Sequence, residues 1–241
     1  MEYFFKSHYS LKSILTLSSP EDEIREDKPV SIASIAKKHK LPHVLLVEDD
    51  IGGFFKAYEV FEGICPFYFG WRVTMCDNIE NKDKESLKSE HKIIIFAKNT
   101  QGYYDLIKLH NKAHTEGSYY IPRIDSNVLE EFWTENLELV IPFFDSHIYN
   151  SFFYFRSILP DFRGIKPTYV LEDHVLPYLD RVREMVNDLC KDLHPILEAR
   201  TVYYYKSKDF EAYQTYKCIQ KRTSLNKPNF DGMSVNSFSF L

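Results

Sequence analysis

Three carboxylates stand together at Glu48-Asp49-Asp50, directly after the apolar run Val44-Leu45-Leu46-Val47. Such a run reads as a strand buried on both faces. Carboxylates at the C-terminal end of a strand are placed to bind Mg²⁺ or Mn²⁺, or to act as acid and base. The plainer explanation is an acidic start to the next helix, whose dipole favours negative charge. Nine histidines are scattered along the chain, with no HExxH motif. His110 and His114 are four apart on a predicted helix, so they share a face, and a metal clamp there is conceivable. His147 follows a predicted strand with Asp145 nearby, a second polar pair. The cysteines at 65, 76, 190 and 218 lack CxxC spacing, which argues against a zinc knuckle or a dithiol redox site. Gly52-Gly53 lacks the Lys-Ser/Thr of a phosphate loop. Phe152-Phe153-Tyr154-Phe155 and Tyr203-Tyr204-Tyr205 could stack on bases. At this density aromatics more often form core or protein interface, and the Tyr149–Phe155 stretch is the candidate partner-facing patch.

The elements that position these groups follow from periodicity. Strands are predicted at Tyr3–Phe5, Val44–Val47, Phe67–Met75, Ile93–Ala97, Leu137–Phe144, Pro167–Val170 and Thr201–Tyr205. Helices are predicted at 31–39, 54–61, 101–114, 128–132 and 209–219. A further helix over Glu172–Leu189 has apolar positions 175, 179, 182, 186 and 189. Residues 18–30 form an acidic loop and 77–91 a charged surface hairpin or excursion. Strand then helix, repeated about seven times without a clean linker, predicts one α/β domain over 1–241 with a parallel sheet, open or closed as a barrel. With 19 Phe and 17 Tyr the chain is not disordered. A net charge of -5 gives no global reason to bind nucleic acid. No apolar run approaches the ~20 residues of a membrane span, and no secretory signal is seen, so a cytoplasmic protein with reduced thiols is expected.

The block Ile95-Phe96-Ala97-Lys98-Asn99-Thr100-Gln101-Gly102-Tyr103-Tyr104-Asp105-Leu106, continuing through Glu116-Gly117-Ser118-Tyr119-Tyr120-Ile121-Pro122-Arg123-Ile124-Asp125, resembles the PHP (polymerase and histidinol phosphatase) domain of the bacterial DNA polymerase III alpha subunit. Tyr9-Ser10-Leu11, Cys218-Ile219-Gln220, Pro228-Asn229 and Phe238-Ser239-Phe240-Leu241 extend the likeness over nearly the whole chain. The resemblance implies a distorted (β/α)7 TIM-like barrel. In active members this barrel holds up to three metals and hydrolyses phosphoesters.

The family's metal motifs can be followed residue by residue. Its His-x-His falls on Phe4 and Lys6, and its Thr-Asp-His on Val47, Glu48 and Asp49. Its Gly-x-Glu falls on Gly70, Trp71 and Arg72, its cysteine near Phe144, and its Asp-x-His on Thr201, Val202 and Tyr203. Of these only Glu48 and Asp49 remain as ligands, and Arg72 brings positive charge where cations should bind. The resemblance therefore implies a pseudoenzyme without cofactor, a structural or docking module whose partner is a DNA polymerase core or a proofreading exonuclease subunit. Two alternatives stay open. One is a residual phosphoesterase or 3′–5′ exonuclease using Mn, Mg or Zn at Glu48 and Asp49. The other is a repurposed viral protein, in a host cytoplasm, that binds replication proteins. Neither strong nucleic-acid binding nor a membrane partner is expected.

Overall fold

The computed structural model describes residues 1–10, 12–21, 23–156, 158–172, 179–191, 193–225 and 238–241. By backbone contacts the chain divides into two compact units, residues 1–69 with 200–241 and residues 70–199.

In the first unit, β1 (Glu2–Phe5) lies parallel to β2 (Val44–Glu48), with Phe4 opposite Leu45 and Phe5 opposite Leu46. Between them runs α1 (Ile32–His39). Ser31 caps it by accepting from the Ala33 N–H, and Lys40 ends it in the left-handed conformation at φ 51°. After β2 the chain turns into α2 (Phe54–Phe61). The unit also holds the start of β3 (Phe67–Met75), the end of β8 (Ile196–Val202) and α7 (Phe210–Lys221). Phe5, Leu15, Leu17, Ile32, Ile35, Leu46 and Phe69 are fully buried. Each side chain of this kind stabilises the fold by about 1.5–3 kcal/mol. The acidic loop begins beside the core, where the Thr16 N–H donates to the Val30 carbonyl at 2.9 Å. Leu11 and Asp22 lie outside the described residues.

In the second unit, β4 (His91–Ala97) runs antiparallel to both β3 and β6 (Leu137–Ile141). β7 (Thr168–Glu172) lies parallel to β6 and to β8, and the short β5 (Arg123–Ile124) parallel to β3. α3 (Thr100–Thr115), α4 (Ser126–Phe132), α5 (His147–Tyr154) and α6 (Leu179–Cys190) complete it. Backbone pairing follows the order β2-β1-β8-β7-β6-β4-β3-β5, and a β2–β3 pairing closes seven of these strands into a ring. The fold is the mixed α/β, closed seven-stranded barrel that the resemblance implies.

Four expectations are corrected. The sheet is not wholly parallel: the excursion after β3 carries no crossover helix, so β4 returns as a hairpin partner. The strand predicted to reach Phe144 stops at Ile141, because Pro142 has no N–H to donate. The last strand is Ile196–Val202, not Thr201–Tyr205; its alternating Glu198 and Arg200 disguise it as loop. Glu172 ends β7 instead of opening α6, in which Val182, Val186 and Cys190 face inward while Leu189 is exposed. Position 175, His174 and the Pro228-Asn229 pair fall outside the described residues.

The block 95–125 builds the best-tied part of the second unit. The Asn99 side chain caps α3 by accepting from the Gly102 N–H at 2.9 Å. Gly102 permits a close backbone approach, since a Cβ there would stand 2.3 Å from the Asn136 carbonyl oxygen. Asp125 caps α4 through the Val128 N–H at 2.9 Å and takes the Ile79 N–H at 3.1 Å with its other oxygen.

Candidate functional site

β1 and β2 end side by side, so the residues just beyond them meet. The Ser7 N–H donates to Glu48 Oε1 at 2.8 Å. Lys6 Nζ stands 3.1 Å from Asp49 Oδ1, and Lys12 Nζ stands 2.7 Å from Asp49 Oδ2. Ser10 Oγ accepts the Asp49 N–H at 3.0 Å. Glu48 is wholly buried, and its Oε2 has no hydrogen-bond partner among the described residues. Burial pushes its carboxyl up to about 7, against the opposing pull of the Ser7 hydrogen bonds and the Lys6 charge. The structure thus joins Lys6, Glu48 and Asp49. Phe4 is buried in the β1 core. Thr201 is buried near the end of β8, and the Tyr203 ring stacks on Tyr213 at 5.3 Å. Lys12 escapes sequence reasoning, because nothing in its neighbours marks it as a partner of a residue 37 positions away.

In the second unit Arg72, on β3, forms an ion pair with Asp145. Phe144 packs edge-on against Phe143 and Tyr149. The anticipated Asp145–His147 site is split. Asp145 meets the guanidinium, while His147 opens α5 under its Ser146 cap and turns into the core beside His91, ring centroids 5.6 Å apart. The aromatic stretch is divided as well. His147, Ile148 and Asn150 are buried, whereas Tyr154 and Phe155 are exposed.

His91 and His147 carry a pH dependence. Burial holds His91 down at about 4 and His147 at about 3, the latter aided by His91. Both folded values lie below that of an unfolded histidine, so the folded state binds fewer protons as the pH falls. Stability is full above about pH 6.5 and drains away below it, by about 1 kcal/mol per ring at pH 5.5. Urea midpoints at pH 7 and 5.5 check this. His91→Gln/His147→Gln should flatten the difference, and an equal slope in that variant would place the effect elsewhere.

On α3, the His110 and His114 rings lie with centroids 3.9 Å apart and planes tilted by 32°, and His110 lies 5.3 Å from Trp71. In the first unit Asp50, just past β2, accepts the Gly52 N–H at 2.9 Å. His110 and His114 carry donor types able to hold a metal ion.

The profile of the PHP domain matches residues 26–189. The chain belongs to the PHP domain family. The DNA polymerase III subunit alpha of Borreliella burgdorferi is 26% identical over 227 residues, covering 86% of this chain and 19% of that protein. That of Treponema pallidum is 25% identical over 205 residues, covering 75% and 17%. A 53-residue stretch is 43% identical in the Chlamydia pneumoniae subunit, covering 22% of this chain and 4% of that protein. The PHP domain here is homologous to the PHP region of those subunits and spans about a fifth of the length of the first. No helix among its described residues is long and apolar enough to cross a membrane.

The PHP match gives the geometry its context. The positions to which the resemblance assigns the family's metal motifs hold two carboxylates, a lysine, an arginine, a threonine and three aromatic rings. Arg123 and Asp125, both buried, belong to the block 95–125 on which the resemblance rests and serve the fold. Their sequence signal was that likeness, not any catalytic spacing.

Proposed function

We propose that this PHP domain is a non-catalytic structural or docking module of a DNA polymerase III alpha-type assembly, and that its 241 residues act as one domain in the cytoplasm. The observation that carries the reading is the Lys6–Asp49 ion pair, with N to O 3.1 Å. An ammonium there supplies the positive charge that a metal ion would bring. The donor chemistry does not fit a three-metal centre: Phe4 offers no lone pair, Lys6 and Arg72 carry the wrong charge, and Tyr203 is a weak ligand engaged in ring packing. The partner is the polymerase core or a proofreading exonuclease subunit. Exposed Tyr154, Phe155 and Leu159 offer apolar surface for it.

A second reading is metal-dependent phosphoester hydrolysis. It is favoured by the donor types of His110 and His114 and by the buried carboxylate of Glu48. One experiment separates the two. The protein is incubated with Mn²⁺ or Zn²⁺ and either a single-stranded 3′-OH oligonucleotide or p-nitrophenyl phosphate. The expected result is no turnover above the metal-only background, with co-purification of the polymerase or exonuclease subunit from the same source. Turnover that follows the protein through purification and falls in Glu48→Gln would establish the hydrolase.

A further inference from the structure

We propose that His110 and His114 form a bis-imidazole site for a divalent transition-metal ion of the zinc class, set on the face of α3. The two rings are one helical turn apart, which is the spacing that lets imidazoles share an ion. A ring nitrogen of each lies within 4.8 Å of one on the other. The tautomer of one ring is fixed. His114 Nδ1 lies 2.9 Å from the His110 carbonyl oxygen, and a carbonyl only accepts, so Nδ1 is the donor. In the neutral ring the ligating lone pair is therefore on Nε2. A ring N–H held by a backbone carbonyl is the arrangement that orients metal-binding histidines.

The scaffold under the pair is rigid. α3 has 16 residues, with Leu106, Leu109 and Ala113 buried beneath it. The buried Asp105 fastens the same helix to Thr134 at 2.9 Å and pairs within it with Lys108 at 2.8 Å. His110 is held against the ring of the buried Trp71. A helix held in place lowers the ordering cost of binding. Imidazole nitrogens select Zn²⁺, Ni²⁺, Co²⁺ and Cu²⁺, whereas Mg²⁺ and Ca²⁺ require oxygen donors. His114 is exposed, so water can complete a tetrahedral shell. The site would staple one turn of α3, and it requires no hydrolytic activity.

The test uses the full chain without a histidine tag, in a Cys65→Ser/Cys218→Ser background that removes the more accessible thiols. Zn²⁺ binding is read by equilibrium dialysis, and melting temperature is read with Zn²⁺ and with Mg²⁺. The expected result is about one equivalent of Zn²⁺, an upward melting shift with Zn²⁺ only, and about tenfold or more weaker binding in His114→Gln. His110→Gln should behave alike, while His8→Gln, at an exposed imidazole elsewhere, should match the parent. Equal Zn²⁺ affinity in His114→Gln and parent, or no saturable binding by about 100 µM Zn²⁺, would overturn the proposal. Neither result depends on whether the protein hydrolyses anything.

Discussion

Arg123→Met is expected to lower unfolding stability by about 3–5 kcal/mol, the usual loss when one partner of a buried charged network is removed. Arg123 is fully buried on β5. Its Nε donates to the Gly117 carbonyl at 3.1 Å, and its Nη2 to the carbonyls of Ile79 and Asn81, each at 3.2 Å. Its Nη1 reaches Glu90 at 3.4 Å, and its guanidinium lies 5.1 Å from the Tyr119 ring centroid. Three carbonyls and a carboxylate thus lean on one side chain, which pins the charged excursion to the sheet. Methionine preserves apolar volume but strands those acceptors away from water. Arg123→Lys should rescue little, since an ammonium cannot span the fork. Urea unfolding decides the matter: a loss below about 1 kcal/mol with an unchanged slope would mean that water replaces the guanidinium.

What sequence reasoning could reach divides along physical lines. Val44–Val47 and Ile93–Ala97 are legible because a strand buried on both faces must be continuously apolar, and α3 because Asn99 announces its cap. β8 is hidden because one of its faces is wet, so Glu198 and Arg200 break the apolar run. The antiparallel setting of β4 is hidden as well, since direction depends on what the excursion lacks rather than on the strand itself. At the site, the position of Glu48 and Asp49 is legible from the end of β2. The partners are not: Lys6 reaches Asp49 across 43 positions, through a parallel pairing that periodicity does not specify. Asp145 and His147 show the converse, two positions apart in the chain but sent to an ion pair and to the core on either side of the cap at Ser146.

Lys6→Met tests the most consequential of those hidden contacts. Lys6 is almost wholly buried, and methionine keeps most of its stem while deleting the ammonium. Asp49 retains Lys12, which is half-exposed and weaker as a counter-ion. Glu48 loses the cation that opposes its desolvation. Its folded carboxyl, already raised to about 7 by burial, moves higher still. A folded value above the unfolded one contributes stability that is full at low pH and is lost as pH rises through the folded value. The cost of Lys6→Met should therefore be about 2–4 kcal/mol at pH 8 and clearly smaller at pH 5, where Glu48 is protonated. With the tethered cation gone, the Glu48–Asp49 pair becomes an acceptor for a free one. Millimolar Mn²⁺ should then raise the melting temperature of Lys6→Met while leaving the parent unmoved. Equal penalties at the two pH values would show that Lys6 serves packing alone. A parent stabilised by Mn²⁺ as strongly as the variant would mean that the lysine does not stand in the place of a metal ion.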